Sequence, residues 1–203
     1  VTSDRPEDDV YLVRDAFGTG YAEAYGIRAA IPVTGSVLPD DARLSTARII
    51  VALHAGRDDD LRDALDRAGF DRGVPTVGVE LLPTRIVCGP AVIPGATACH
   101  ACYRRRIEQH RDPGRPYDLS AATRDLPEGF GRPHLAVTHG LLGLALAEMR
   151  GGPVGLGGTV RTFDLVAGTL SSASTVAVDR CRRCGARFRD GAPAGAGAVA
   201  GLP

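Results

Sequence analysis

Short apolar runs, separated by polar and glycine-bearing breaks, recur along most of the chain. "DVYLVR" (9–14), "IRAAIPV" (27–33), "ARIIVALHA" (47–55), "VPTVGVEL" (74–81) and "TRIVCGP" (84–90) all fit this description. The third is a continuous apolar run, as suits a strand covered on both faces. A glycine-bearing turn and helix, "FGTGYAEAYG", follow the first run, and a Gly/Pro/Asp loop fills 34–42. After the third run comes a well-marked helix. Asp58 to Asp60 put acids at its N-terminus, where the helix dipole favours them. Leu61, Ala64, Leu65 and Ala68 fall on one face, and Gly69 stands where a C-terminal cap is expected. The next two strands join through a turn at Leu82 and Pro83. This order predicts an α/β domain: a mostly parallel sheet covered by helices.

The second half keeps the pattern with longer elements. "CHACYRRRIEQH" (99–110) reads as the start of a helix, 112–120 as a loop, and 117–126 as a short helix. Residues 134–149 are apolar nearly all round, which predicts a buried helix, with Gly140 and Gly143 permitting close approach. "GTVRTFDLVAGTLSSASTVAV" (158–178) reads as two strands around a turn at Ala167 and Gly168. The folded domain is expected over 1–190, and the Gly/Ala/Pro-rich stretch 191–203 as a disordered tail.

Composition narrows the function classes. The formal net charge is zero, so nothing pulls the whole chain toward nucleic acid or an anionic membrane. All 24 basic residues are arginine, and phosphate sites that need a lysine are excluded. No run approaches the roughly 18 apolar residues of a membrane span. The acidic start "VTSDRPEDDV" is not a secretory signal, so the expected compartment is the cytoplasm, where thiols stay reduced.

Against that background the cysteines stand out. Cys99 and Cys102 form one Cys-x-x-Cys pair, Cys181 and Cys184 another, with 78 residues between them. Two such pairs supply the four thiolates of a closed tetrahedral zinc site, here tying distant elements together. Gly185 follows the second pair, where a sharp turn can offer N–H groups to the sulfurs. Disulfides are disfavoured in a reducing compartment, and a redox pair does not explain two motifs. An iron–sulfur cluster uses the same four thiolates, and metal analysis separates it from zinc. Cys88, inside an apolar strand, reads as a small buried hydrophobe.

His134 and His139 are five apart, off the i, i+4 spacing of a helical metal pair. A metal at the cysteines would bring Arg104, Arg105 and Arg106 near Arg180, Arg182 and Arg183. The expected result is a basic patch, either solvated or facing an acidic partner. Nucleic acid is disfavoured by the lack of aromatics nearby for stacking.

"VPTVGVELLPTRIVCGPAVIPGATACHACYRRR", together with the distal "TVAVDRCRRCG", resembles the second half of the ubiquitin-activating-like (ThiF/MoeB) fold, over about residues 45–187. "GPAVIPGATACHACYRRR" looks closest to the catalytically divergent branch in azole- and thiopeptide-type peptide biosynthesis. The resemblance implies a Rossmann-like sheet and one structural zinc held by Cys99, Cys102, Cys181 and Cys184. It implies a non-catalytic partner of a YcaO-type cyclodehydratase, of its precursor peptide, or of both. A homodimer of the kind relatives form is compatible with it.

Departures from the adenylating members point the same way. Gly18 and Gly20 fit the first two positions of a nucleotide loop, but Glu23 occupies the third. His54 and Ala55 stand where those members place Asp-Asn. No cysteine lies between Cys102 and Cys181 to carry a thioester, and no leader-binding winged helix is read at the N-terminus. The alternatives are a divergent adenylyltransferase acting on a peptide or carrier carboxylate, and a zinc-bearing nucleic-acid-binding module. The candidate partner contacts are Arg104, Arg105, Arg106, Arg182 and Arg183.

Overall fold

The structure, a computed structural model, describes residues 8–28, 30–35, 37–110, 129–152 and 158–185. The expected helix at 117–126 and the tail at 191–203 lie outside them. Seven strands form one sheet in the order β2-β1-β3-β4-β5-β6-β7. β1 (Asp9–Val13), β2 (Ala30–Pro32), β3 (Ile49–Ala55) and β4 (Thr76–Leu82) run parallel. β5 (Arg85–Cys88), β6 (Thr159–Asp164) and β7 (Thr169–Ser174) extend the sheet as an antiparallel meander. The two-residue link Pro83–Thr84 is too short for a crossover, so β5 must fold back on β4. The α/β class read from the sequence is therefore present, with its parallel half at one end.

Alternation of side chains along the strands divides the core into two layers. On one face Val13, Val51, Leu53, Val79 and Ile86 meet α1 (Ala16–Ala24) and α5 (Arg132–Gly151). On the other, Val10, Leu12, Ile50 and Ala52 meet α2 (Arg43–Thr46) and α3 (Asp59–Arg72). The remaining helix, α4 (His100–Gln109), packs against α3.

Three local expectations are corrected. The helix expected to end at Gly69 runs on to Arg72, and Gly73 (φ 68°) is its left-handed cap. Gly69 is needed for a different reason: a Cβ there would lie 2.5 Å from the Thr76 side chain. The α3 start is as read, with the Asp58 carboxylate accepting from Leu61 N–H at 2.9 Å. Gly18 and Gly20 of "FGTGYAEAYG" sit inside α1, not in a loop before it, while Gly26 (φ 64°) follows the helix. Only Arg14 and Asp15 separate β1 from that helix. Finally, α5 is buried on one face only. Leu135, Leu141, Leu142, Ala145, Leu146 and Met149 enter the core, while Ala136, His139, Gly140, Gly143 and Leu144 face solvent. Nothing lies within 4 Å of a Cβ built on Gly140 or Gly143, so neither serves a close approach within this chain.

Candidate metal centre

The fold delivers the two Cys-x-x-Cys pairs to one place. Cys99 is the N-terminal flanking residue of α4 and Cys102 lies one turn in, so the first pair sits at a helix N-terminus that favours thiolates. The second pair follows β7 in a compact turn, with Cys181 N–H donating to Val178 C=O and Gly185 N–H to Cys181 C=O. The left-handed residue of that turn is Arg180 (φ 52°), not Gly185, whose N–H goes to a carbonyl.

All four sulfurs lie within 4.8 Å of one another, and all four residues are buried. Three of the separations are 3.6, 3.6 and 3.5 Å, for Cys99–Cys102, Cys99–Cys181 and Cys102–Cys184. A tetrahedron with Zn–S bonds of about 2.3 Å has edges of about 3.8 Å, so the donor set fits one such ion. Val178 N–H points at Cys102 Sγ, 3.3 Å away, an outer contact that suits a thiolate. Hydrogen bonds from the Cys184 and Cys99 thiols hold Cys102 well below the ordinary thiol range. Their bonds to Cys102 push the Cys99 and Cys184 thiols up. Four thiolates so close cannot coexist without a cation among them. The four cysteines can therefore hold a metal ion.

Asp66 of α3, 1% exposed, ties this centre to the sheet domain. Its carboxylate accepts from the His100 N–H of the first pair (3.3 Å) and from Arg183 of the second (2.5 Å). Arg183 also reaches Asp63 at 3.3 Å. Arg183 is thus engaged inside the molecule, and so is Arg106, which donates to the carbonyls of Val176 and Ala177 at 3.4 and 3.2 Å. Arg104 pairs with Glu108 along the helix at 3.9 Å, while Arg105 and Arg182 are exposed. The basic surface narrows to Arg104, Arg105, Arg180 and Arg182, of which Arg180 stands 3.6 Å from Asp179.

The second place where such a fold carries chemistry is the crevice beyond β1 and β3, where the strand order reverses. Here Asp15 closes the start of α1. Its Oδ1 accepts from Phe17 N–H and Gly18 N–H at 3.0 and 3.1 Å, and its Oδ2 from Ala55 N–H at 2.6 Å. The Asp15 carboxylate thus caps the free N–H groups at the start of α1. Gly18 is explained by packing, since its Cβ would lie 2.7 Å from Leu53 C=O. Arg14 is drawn away to Asp58 (2.8 Å) and to Gly35 C=O (2.6 Å).

His54 is wholly buried, its Nδ1 2.9 Å from Gly56 C=O and its Nε2 3.9 Å from Glu80. Arg62 lies across Gly78, donates to Gly89 C=O and stands 3.9 Å from Glu80. Burial pushes the His54 pKa down to about 4, and Arg62 adds to the effect. An unfolded histidine titrates near about 6.5, so acid protonates the unfolded chain first. The His54 contribution is therefore present above that pH and lost as pH falls toward 4. Between about pH 7 and pH 5 it amounts to about 2 kcal/mol. Denaturant unfolding at both pH values should show this loss in the wild type, reduced by about that amount in His54→Leu. An equal loss in both proteins would refute the assignment.

His134 and His139 are engaged within the fold. His134 Nδ1 accepts from Gly131 N–H at 2.9 Å at the start of α5. His139 meets the Tyr21 hydroxyl at 3.0 Å and stacks on Tyr25 with centroids 4.0 Å apart. Cys88 is fully buried, and desolvation pushes its thiol up to about 12, in keeping with a packing role.

No family model matches the sequence, and no curated protein matches it. Solved structures share the fold. The heterocyclase TruD aligns over 88% of this chain with a TM-score of 0.55 and 18% identity. A chain of the E. coli microcin synthetase McbBCD complex aligns over 89%, with a TM-score of 0.59 and 15% identity. E. coli MccB aligns over 87%, with a TM-score of 0.54 and 12% identity. This chain spans 27% of TruD, 70% of the McbBCD chain and 58% of MccB. Among the described residues, no helix is long and apolar enough to cross a membrane.

Proposed function

We propose that this chain is a zinc-stapled, non-catalytic docking partner of a YcaO-type cyclodehydratase in azole- or thiopeptide-type peptide biosynthesis. The observation that carries the non-catalytic part is Asp15, whose carboxylate takes the helix N–H groups an adenylating relative would turn toward phosphate. The shared fold with TruD and with a McbBCD chain supports the choice of pathway. In this reading the chemistry belongs to the partner, which activates a peptide amide with ATP after attack by a Cys, Ser or Thr side chain. This chain holds enzyme and peptide together and acts through effective concentration.

Two measurements test the reading. Calorimetry with ATP and magnesium should detect no binding below the millimolar range; micromolar affinity would move the assignment to an adenylyltransferase. Co-purification with a YcaO-type cyclodehydratase from the same host should give a complex that weakens as salt rises. Charge reversal at Arg104, Arg105 and Arg182 should weaken that complex at least tenfold with little change in thermal stability, because all three lie at the surface. Arg106→Glu is a poor probe, since it also breaks the contacts to Val176 and Ala177. Unchanged affinity in the Arg104/Arg105/Arg182 variant would make this patch a solvated face.

A further inference from the structure

The two edges of the sheet are built differently. β2 closes one side with three residues, one of them Pro32, and short proline-bearing edges resist pairing. β7 closes the other side with six residues, "TLSSAS", every one exposed. It carries no charge and no proline, and it pairs with β6 residue for residue from Thr169–Asp164 to Ser174–Thr159, without a bulge. Among the described residues, none of the usual protections of a free edge is present. The hairpin behind it is firmly set: Asp164 Oδ1 accepts from Val166 and Ala167 N–H at 2.8 Å each, and Gly168 N–H returns to Asp164 C=O at 2.9 Å.

The register also fixes which backbone groups are free. Thr175 N–H donates to Gly158 C=O, so alternation turns Thr169, Ser171 and Ala173 toward β6. Leu170, Ser172 and Ser174 then point their N–H and C=O groups outward, and among the described residues no strand meets them.

We infer that the β7 edge receives an extended peptide as an eighth strand, held by the outward backbone groups of Leu170, Ser172 and Ser174. The side chains of β7 are uncharged and, Leu170 apart, small; they leave the backbone open, as strand addition through main-chain bonds requires. A peptide fits this edge better than a second copy of the chain. Six residues span about 20 Å, and that contact alone is far below the roughly 800 Å² per partner of a stable dimer. The identification of the peptide as a biosynthetic substrate rests on the function proposed above; the pairing itself does not.

The test starts from an mRNA-displayed library of random twelve-residue peptides, selected against the immobilised full chain. An enriched peptide titrated into 15N-labelled protein should shift amides in β7 and β6, and should slow exchange at Leu170, Ser172 and Ser174 at least tenfold. Ser172→Pro removes an outward N–H and no β6 bond, and should lower peptide affinity at least tenfold. The pair Leu170→Lys with Ser174→Lys provides a second route if the proline variant does not fold. No enrichment, shifts centred elsewhere, or equal binding by both variants would overturn the inference. So would a wild-type dimer in sedimentation that Ser172→Pro dissociates, since a second copy would then occupy the edge. Cyclodehydratase binding is measured on the same proteins. Its absence, with peptide binding intact, counts against the proposed function and leaves the edge assignment standing.

Discussion

Serine in place of any one of Cys99, Cys102, Cys181 or Cys184 is expected to yield a chain that is insoluble or molten, with its metal lost. The apolar cluster around the four sulfurs is small: Ala98 is its one other buried member, with Phe70, Ala101, Ala177 and Val178 packed partly against it. Such a cluster cannot by itself hold the N-terminus of α4 against the segment after β7. Structural zinc contributes about 10–16 kcal/mol in small metal domains, comparable with the roughly 5–15 kcal/mol stability of a whole domain. Losing one ligand also leaves three buried thiols without the cation that lets them ionise. Far-UV and near-UV circular dichroism with elemental analysis would check this. Cys88→Ala is the control: it shortens a buried side chain outside the site and should keep the metal and a cooperative transition. A folded, metal-free Cys→Ser variant would show that packing alone suffices.

The second large effect is expected at Asp66→Ala. This carboxylate is almost fully buried and receives Arg183 from one cysteine pair and the His100 N–H from the other. Burial raises its pKa, while the hydrogen bond and charge of Arg183 oppose the shift. Arg183 is partly exposed and keeps Asp63 at 3.3 Å, so its charge stays compensated, and the expected loss is that of a hydrogen bond to a charged group, about 1.5–3 kcal/mol. The loss should appear in denaturant unfolding. It should be accompanied by faster zinc transfer to a chelator, since both pairs lose their common tether to α3. Asp66→Asn, which keeps the shape and one acceptor, should retain part of the stability. A change below about 1 kcal/mol in Asp66→Ala would mean that the metal positions both pairs without help from α3.

The features legible in the sequence were those with a short-range signature. The four cysteines declared themselves by spacing, and the β6–β7 hairpin by its Ala167–Gly168 turn. Asp58 marked the start of α3 by capping chemistry that depends on the next three residues alone. What stayed hidden depends on contacts distant in sequence. Gly18 and Gly20 matched two positions of a nucleotide loop because glycine spacing does not distinguish a turn from a helix packed closely on a strand. The decisive contact, Asp15 to Ala55 N–H, spans 40 residues. The arginine run looked like one surface, yet Arg106 and Arg183 are turned inward by Val176, Ala177, Asp63 and Asp66. The apolar pattern of α5 predicted burial all round, whereas the sheet is covered by one side of it. The role of Asp66 had no local signal, because its partners lie 34 and 117 residues away.

The partner role is tested most directly by reconstitution. The purified cyclodehydratase and its precursor peptide, supplied with ATP and magnesium, are assayed by mass spectrometry for the loss of one water per azoline formed. Addition of this chain is expected to raise the rate at least tenfold, with ATP consumed only when the cyclodehydratase is present. An unchanged rate, or ATP turnover by this chain with the peptide alone, would contradict the role of a non-catalytic partner.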